Sequence, residues 1–231
     1  MRIDKLLCDL NICTRSEAKS FIKKGLVNVN GETVKDPGAH VDPDSDQVLY
    51  KGEKLKYIKN VYFMLNKPAG IVSAVTDDKD KTVIDLFRSE NRKGLVPVGR
   101  LDKDTHGLII ITDDGDLCHH LTSPGHHVPK TYFVGLQDPI TDDSLLKLEA
   151  GVELKGDGIT KPAKALKLNE KEILLTINEG MYHQVKRMAA AVGNKVIYLK
   201  RIGIGDIKLD ESLKEGEYRQ LTKEELLLLK K

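Results

Sequence analysis

The stretch Gly99-Arg100-Leu101-Asp102-Lys103-Asp104-Thr105-His106-Gly107, running into Leu108-Ile109-Ile110-Ile111, constrains this chain more than any other. Four apolar residues in a row, three of them β-branched, read as a strand buried on both faces. Thr112-Asp113-Asp114-Gly115 ends that strand as a turn. Asp102 therefore sits on a glycine-bounded loop feeding a rigid central strand. Such a loop holds one carboxylate in place while leaving it reachable.

Three readings of Asp102 follow from the residues alone. An Asp beside an Arg in a loop often only closes a turn. Asp102, Asp104, His106, Gly107 and Asp113 fall at places one, three, five, six and twelve of a calcium loop. That match is poor, since place five is His, place twelve is Asp, and the last third is β-branched. The third reading is catalytic: a lone carboxylate acting as nucleophile or base, with Arg100 nearby to keep it ionised.

The chain has 231 residues, enough for one large domain or a small one plus a medium one. With 40% hydrophobic and 31% charged residues it fits a soluble globular protein. It has no 18-residue apolar run, and Met1-Arg2-Ile3-Asp4 begins charged and amphipathic, which predicts neither a membrane span nor a signal peptide. Three cysteines (Cys8, Cys13, Cys118) without paired spacing suit a reducing cytoplasm. Net charge is only +2, so any nucleic-acid surface must be local.

Ile3, Leu6, Leu7 and Leu10 lie at helical spacing. Thr14-Arg15-Ser16-Glu17 is a capping box for a second helix, whose core face is Ala18, Phe21 and Ile22 and which Gly25 ends. On it Arg15, Lys19 and Lys23 form one basic stripe, and residues 1–30 hold six Lys/Arg (2, 5, 15, 19, 23, 24) against three acids (4, 9, 17). Leu26-Val27-Asn28-Val29 enters an Asn30-Gly31 hairpin turn. The module closes by Leu55; we assign residues 1–56 to it, 57–60 to a short linker, and 61–231 to a second domain.

In that second domain Val61 to Leu65 reads as a strand broken by Asn66-Lys67-Pro68-Ala69-Gly70, whose Lys67 is free to meet a phosphate or to be solvated. Thr82 to Phe87 and Asp116 to Leu121 read as short helices, Lys130 to Val134 as a strand, and Thr141 to Ala150 as a helix. Ala163 to Leu168 and Ile173 to Ile177 read as strands, and Thr222 caps the last helix. Cys118, His119, His120, His126 and His127 cluster as if for zinc, but zinc ligands are usually spaced apart, not adjacent. Ser-Pro-Gly-His-His (123–127) is better read as a polar loop. Glu179 to Met188 opens a helix ending at Gly193, and residues 181–205 hold five Lys/Arg and no acid, a bias that suits a surface facing a polyanion.

These residues carry a resemblance. Gly-Arg-Leu-Asp-x-Asp-Thr-x-Gly-Leu, an aliphatic run and Thr-x-Asp-Gly, spanning about seventeen positions (99–115), resemble the signature of the pseudouridine synthases that act on ribosomal RNA. Asn66-Lys67-Pro68-x-Gly70, Lys130-x-Tyr132 and Tyr182-His183-Gln184-Val185-Lys186-Arg187-Met188, with Leu199, Arg201, Ile202 and Gly203 as a tail, resemble its other motifs, in order. Within the family the resemblance is greatest to the branch that modifies small-subunit ribosomal RNA. Residues 1–45 resemble the small alpha-L RNA-binding module. The resemblance implies an α+β fold whose catalytic domain has a mixed, mostly antiparallel sheet flanked by helices with a cleft across its middle. It implies Asp102 as catalytic carboxylate, Tyr132 stacking on the target base, and Lys186 pairing with Asp102 to keep it ionised; Arg is the commoner type at that last position. Arg100, His126 and His127 would help the target leave its stack. Lys67, His183, Gln184, Arg187 and Arg201, with the Arg15, Lys19, Lys23 stripe, would contact RNA. The reaction is a redox-neutral isomerisation, so no cofactor and no metal is expected. A monomer acting on ribosomal RNA, free or in a partly assembled small subunit, is the expected arrangement.

Two other classes compete. One is a non-catalytic ribosomal-RNA assembly factor that kept the fold, against which the intact Asp102, Tyr132 and Lys186 stand. The other is a metal-dependent phosphohydrolase using Asp102, Asp104, Asp113, Asp114 and Asp116.

Overall fold

The capping box at Thr14 forms as its residues dictate. The Thr14 hydroxyl accepts from the Glu17 amide, and the Glu17 carboxylate accepts from the Thr14 amide at 2.8 Å. This starts α2 (Arg15–Lys23), which follows α1 (Ile3–Asp9). Val27 then begins β1 (Val27–Val29), and Asn30 and Gly31, both at positive φ (51° and 90°), turn the chain into β2 (Glu32–Thr33). Strands β3 (Val48–Tyr50) and β4 (Glu53–Lys54) complete a small sheet in the order β2-β1-β3-β4. Ile3, Leu6, Leu7, Ala18, Ile22, Val27 and Val48 form its core, with Leu55 and Tyr57 packed against it.

The computed structural model describes residues 1–43, 45–90 and 92–229, and divides into two units, Met1–Asn60 and Val61–Lys231. The second unit is built on one sheet. Its strands are β5 (Tyr62–Lys67), β6 (Val96–Val98), β7 (His106–Thr112), β8 (Lys130–Leu136), β11 (Lys164–Lys167), β12 (Glu172–Ile177), β13 (Val196–Ile204), β14 (Ile207–Lys208) and β15 (Tyr218–Gln220). A separate hairpin pairs β9 (Glu153–Leu154) with β10 (Gly158–Ile159). The order is β11-β12-β8-β13-β7-β5-β15, with β6 beside β7 and β14 beside β13. Of the strand pairings in this sheet only β13–β7 is parallel, so the sheet is mixed and mostly antiparallel.

Strand β7 is the central strand its composition predicts. Leu108 and Ile110 belong to one core, with α3 (Gly115–Thr122) and α6 (Lys223–Leu229) over it; Ile109 and Ile111 belong to the other, under α4 (Asp142–Ala150) and α5 (Gln184–Ala191). All four are fully buried, each contributing on the order of 1.5–3 kcal/mol of transfer free energy.

The structure departs from the sequence expectations in four places. Strand β5 runs on through Asn66 and Lys67, paired with Leu108 and Gly107 of β7, so the turn begins only at Pro68. Segment 84–87 is a single 3₁₀ turn, and residues 179–183 form a loop with α5 starting at Gln184. Strand β13 fills the basic stretch after that helix; the Lys200-Arg201 pair and Gly203 hid a strand within the charge bias.

Candidate active site

The Asp102 loop is held mainly through its backbone. The Lys67 ammonium donates to the carbonyls of Asp102 (3.1 Å), Thr105 (2.9 Å) and Lys103 (3.4 Å), and also to that of Pro68 (3.0 Å). Gly70 N donates to Lys103 O at 2.7 Å. Ser73 Oγ donates to Leu101 O and accepts from Leu101 N, at 2.9 and 3.0 Å. Lys67 is 0% exposed, and burial draws its pKa down to about 8. It is therefore a clamp inside the domain and presents nothing to a phosphate, which corrects the expectation for this residue. Ser73 carried no signal in the sequence: a serine six residues past a lysine is unremarkable until the chain brings it under Leu101.

Gly107, where the loop enters β7, has no alternative. Its φ is +102°, and a Cβ there would lie 2.2 Å from Arg201 O. The crossing with β13 requires that glycine. Register then runs in one row across the sheet: Gly107 opposite Arg201, Arg201 opposite Tyr132, Tyr132 opposite Leu175. Tyr132 thus stands two strands from Gly107, about 10 Å away at ordinary strand spacing. It is largely buried and shares a core with Leu101 and Val185, the neighbours in sequence of Asp102 and Lys186.

Lys186, on the first turn of α5, donates to Asp102 Oδ2 at 2.9 Å and to Asp104 Oδ1 at 2.6 Å. Burial opposes its charge, but the hydrogen bonds to the two carboxylates outweigh it and hold the ammonium above the ordinary lysine range. The hydrogen bond from Lys186 likewise holds Asp104 below the usual carboxylate range. On the other side His183 Nε2 lies 3.5 Å from Asp102 Oδ1. Asp102 keeps about a quarter of its side-chain surface exposed, so it is both paired and reachable.

The calcium-loop ligands do not converge. The ammonium of Lys186 lies between Asp102 and Asp104, His106 bonds Glu215, and Asp113 pairs with Arg92. The zinc cluster finds other partners: Cys118 faces Pro97 O, His126 lies against His120 and bonds its carbonyl, and His127 meets Lys161. Among the described residues no three His, Cys, Asp or Glu side chains are placed to hold a metal ion.

Other expected RNA contacts divide by burial. Arg100, His126 and His127 are exposed. Gln184 is buried; its amide donates to Glu179 at 2.6 Å and its oxygen accepts from Met181 N, so it ties the 179–183 loop to α5. Arg201 is also buried, donating from Nε to Leu108 O at 2.8 Å. Arg187 binds Asp157, Lys155 O and Tyr182 O, fastening the β9–β10 hairpin to the loop. These three side chains serve the architecture of the site, which corrects the reading of Gln184 and Arg201 as surface contacts and leaves Arg187 committed within the protein.

Fold and site together present one clamped, partly exposed carboxylate with a lysine counter-charge. Residues 61–191 match the model of the RNA pseudouridylate synthase family, and residues 1–48 match the S4 domain. An uncharacterised RNA pseudouridine synthase of Bacillus subtilis is 49% identical, covering 99% of this chain and 98% of its own. Ribosomal small subunit pseudouridine synthase A of Haemophilus influenzae is 45% identical over 98% of both chains. A crystal structure of a pseudouridylate synthase superposes with a TM-score of 0.71 at 44% identity, covering 99% of each chain. The chain belongs to the RNA pseudouridylate synthase family, isomerases that convert uridine to pseudouridine, and carries an S4 domain at its amino end.

Proposed function

We propose that this enzyme converts one uridine of small-subunit ribosomal RNA to pseudouridine in the cytoplasm, acting as a monomer without a cofactor. The observation that carries the target is full-length similarity, at 42–48% identity, to several enzymes named ribosomal small subunit pseudouridine synthase A. For the chemistry, it is the 2.9 Å pairing of Lys186 with Asp102 across 84 residues of chain.

The reaction cuts the bond between uracil N1 and the sugar's anomeric carbon, turns the base, and joins its carbon 5 to that carbon; a proton leaves carbon 5 and one returns to N1. Nothing is gained or lost overall. Asp102 acts first, either at the anomeric carbon or as a base at the neighbouring sugar carbon. Lys186 supplies the positive charge that keeps Asp102 available as an anion. Tyr132 holds the base while it turns. The exposed Arg100 and the His126-His127 loop assist the target's exit from its stack. The S4 domain contributes affinity through phosphate contacts of α2.

Mapping pseudouridines in ribosomal RNA from a strain lacking this gene tests the reading. One small-subunit site should disappear and return with the wild-type gene but not with Asp102→Asn. Loss of a large-subunit site instead would reassign the target. Incubating the enzyme with free small-subunit RNA and with partly assembled particles then identifies which one is the substrate.

A further inference from the structure

Tyr182 is the most exposed large apolar side chain among the described residues, 74% open to solvent. It is nonetheless rigidly placed. Its ring stacks on His183 with centroids 3.8 Å apart and planes 17° from parallel, and His183 itself reaches to 3.5 Å from Asp102. The loop beneath the pair is tied by two hydrogen bonds and holds a left-handed residue. Arg187 donates to Tyr182 O, Gln184 accepts from Met181 N, and His183 sits at φ +49°, a left-handed backbone that a non-glycine residue adopts only when its surroundings impose it. The same Arg187 guanidinium holds Lys155 O, which ties the backbone of the β9–β10 turn to that of Tyr182. A large aromatic face left in water and oriented by a tied, left-handed loop is the kind of surface that stacks on unpaired nucleotides.

Resting on the RNA reading above, we propose that the outer face of Tyr182 is a stacking platform for the unpaired base adjacent to the target uridine. The imidazole of His183 separates that face from Asp102, so a base lying on it is one ring further out than any group the carboxylate reacts with. The platform therefore holds the target's neighbour. Stacking accepts any base, so the platform selects for a splayed, single-stranded flank and not for its sequence. Tyr182 then sets the register of the strand over the site.

The test uses the full-length enzyme and RNA segments of the small subunit carrying 2-aminopurine beside the modified uridine. Wild type and Tyr182→Phe should quench the fluorophore; Tyr182→Ala should not. In turnover, Tyr182→Ala should raise KM about five- to a hundredfold, the range expected for one lost stack, with kcat within about threefold, and Tyr182→Phe should behave as wild type. Unchanged KM and retained quenching in Tyr182→Ala would overturn the proposal. So would a fall in kcat alone, which would show that the ring only orients His183. Quenching needs no turnover, so it is also read on short unpaired 2-aminopurine RNA. Quenching there without product in small-subunit RNA would refute the target while supporting the platform; no quenching with normal product would do the reverse.

Discussion

Two sets of cations with the same appearance in the sequence do opposite things in this molecule. On α2, Lys19 and Lys23 are exposed and, among the described residues, pair with no acid; Arg15 is two-thirds exposed, with Asp4 at 3.9 Å. In the second unit Lys67 and Arg201 are buried; the Lys67 ammonium donates to the backbone carbonyls of the Asp102 loop, and Arg201 donates from Nε to Leu108 O. Half-buried Lys130 also donates to a backbone carbonyl, that of Val128, and burial, then the charge of Arg201, lower its pKa. Exposed cations are free to meet phosphates at little cost. Buried ones are there because carbonyls that stop pairing in a ladder still need donors. A charge bias thus marks RNA contact only where the residues are not required to satisfy the protein's own backbone.

The sharpest break of the comparison lies at the group the buried set supports. Asp102→Asn should abolish product formation while RNA binding stays within a few-fold, because the exposed cations are untouched. Turnover within about tenfold of wild type would remove Asp102 from the mechanism. Lys186→Met comes next. It keeps the stem and removes the cation shared by Asp102 and Asp104, so single-turnover rates should fall about a hundredfold, roughly 2.7 kcal/mol of barrier. Lys186→Arg should keep most activity if the pairing is electrostatic. The ammonium's pKa lies above its ordinary 10.5, so the wild-type rate should show no basic limb from this group below about pH 10. A limb near pH 8 that Lys186→Arg abolishes would mean that Lys186 is not held as described.

Lys67→Met tests the clamp itself. Four carbonyls lose one donor, and loss of stability at pH 7 should be about 1–3 kcal/mol in urea titrations, with activity falling alongside. The pH dependence has a definite sign. Below pH 8 the amine is protonated both folded and unfolded, and the folded protein bears the cost of the buried charge. Between about 8 and 10.5 the folded amine is deprotonated first while the unfolded chain still binds the proton, so wild-type stability rises relative to Lys67→Met. A stability difference independent of pH across that window would mean the amine keeps its ordinary affinity for protons.

How much of this could be read beforehand depends on the kind of signal. The capped α2, the Asn30-Gly31 hairpin and the buried β7 were legible because their causes are local: a hydroxyl three residues before a carboxylate, a dipeptide tolerant of positive φ, an unbroken apolar run. The pairing of Asp102 with Lys186 was reached only through the family motifs, since no local rule links positions 84 residues apart. Burial of Lys67, Gln184 and Arg201 was illegible, because their side chains look polar in any window and only the sheet register shows what surrounds them. Strand β13 was hidden for the same reason: its β-branched residues are interleaved with Lys and Arg.

The smallest expected effect, and the one that most directly tests the contrast, comes from changing Arg15, Lys19 and Lys23 together to Gln. None of the three lies in the core of the first unit, so its fold should survive, and the capping box at Thr14 and Glu17 is untouched. If each exposed cation releases about one counterion on binding, the slope of log affinity against log salt should become shallower by roughly 2 to 3. Loss of affinity should then be largest at low salt and shrink as salt rises, because wild-type contacts are screened away as well. Measured at several salt concentrations on the same RNA, the variant and wild-type lines should converge. Parallel lines would show that the α2 stripe is only a solvated face, and RNA affinity would then have to come from the second unit, where Arg100, Lys103, Lys155 and Lys161 are among the exposed cations.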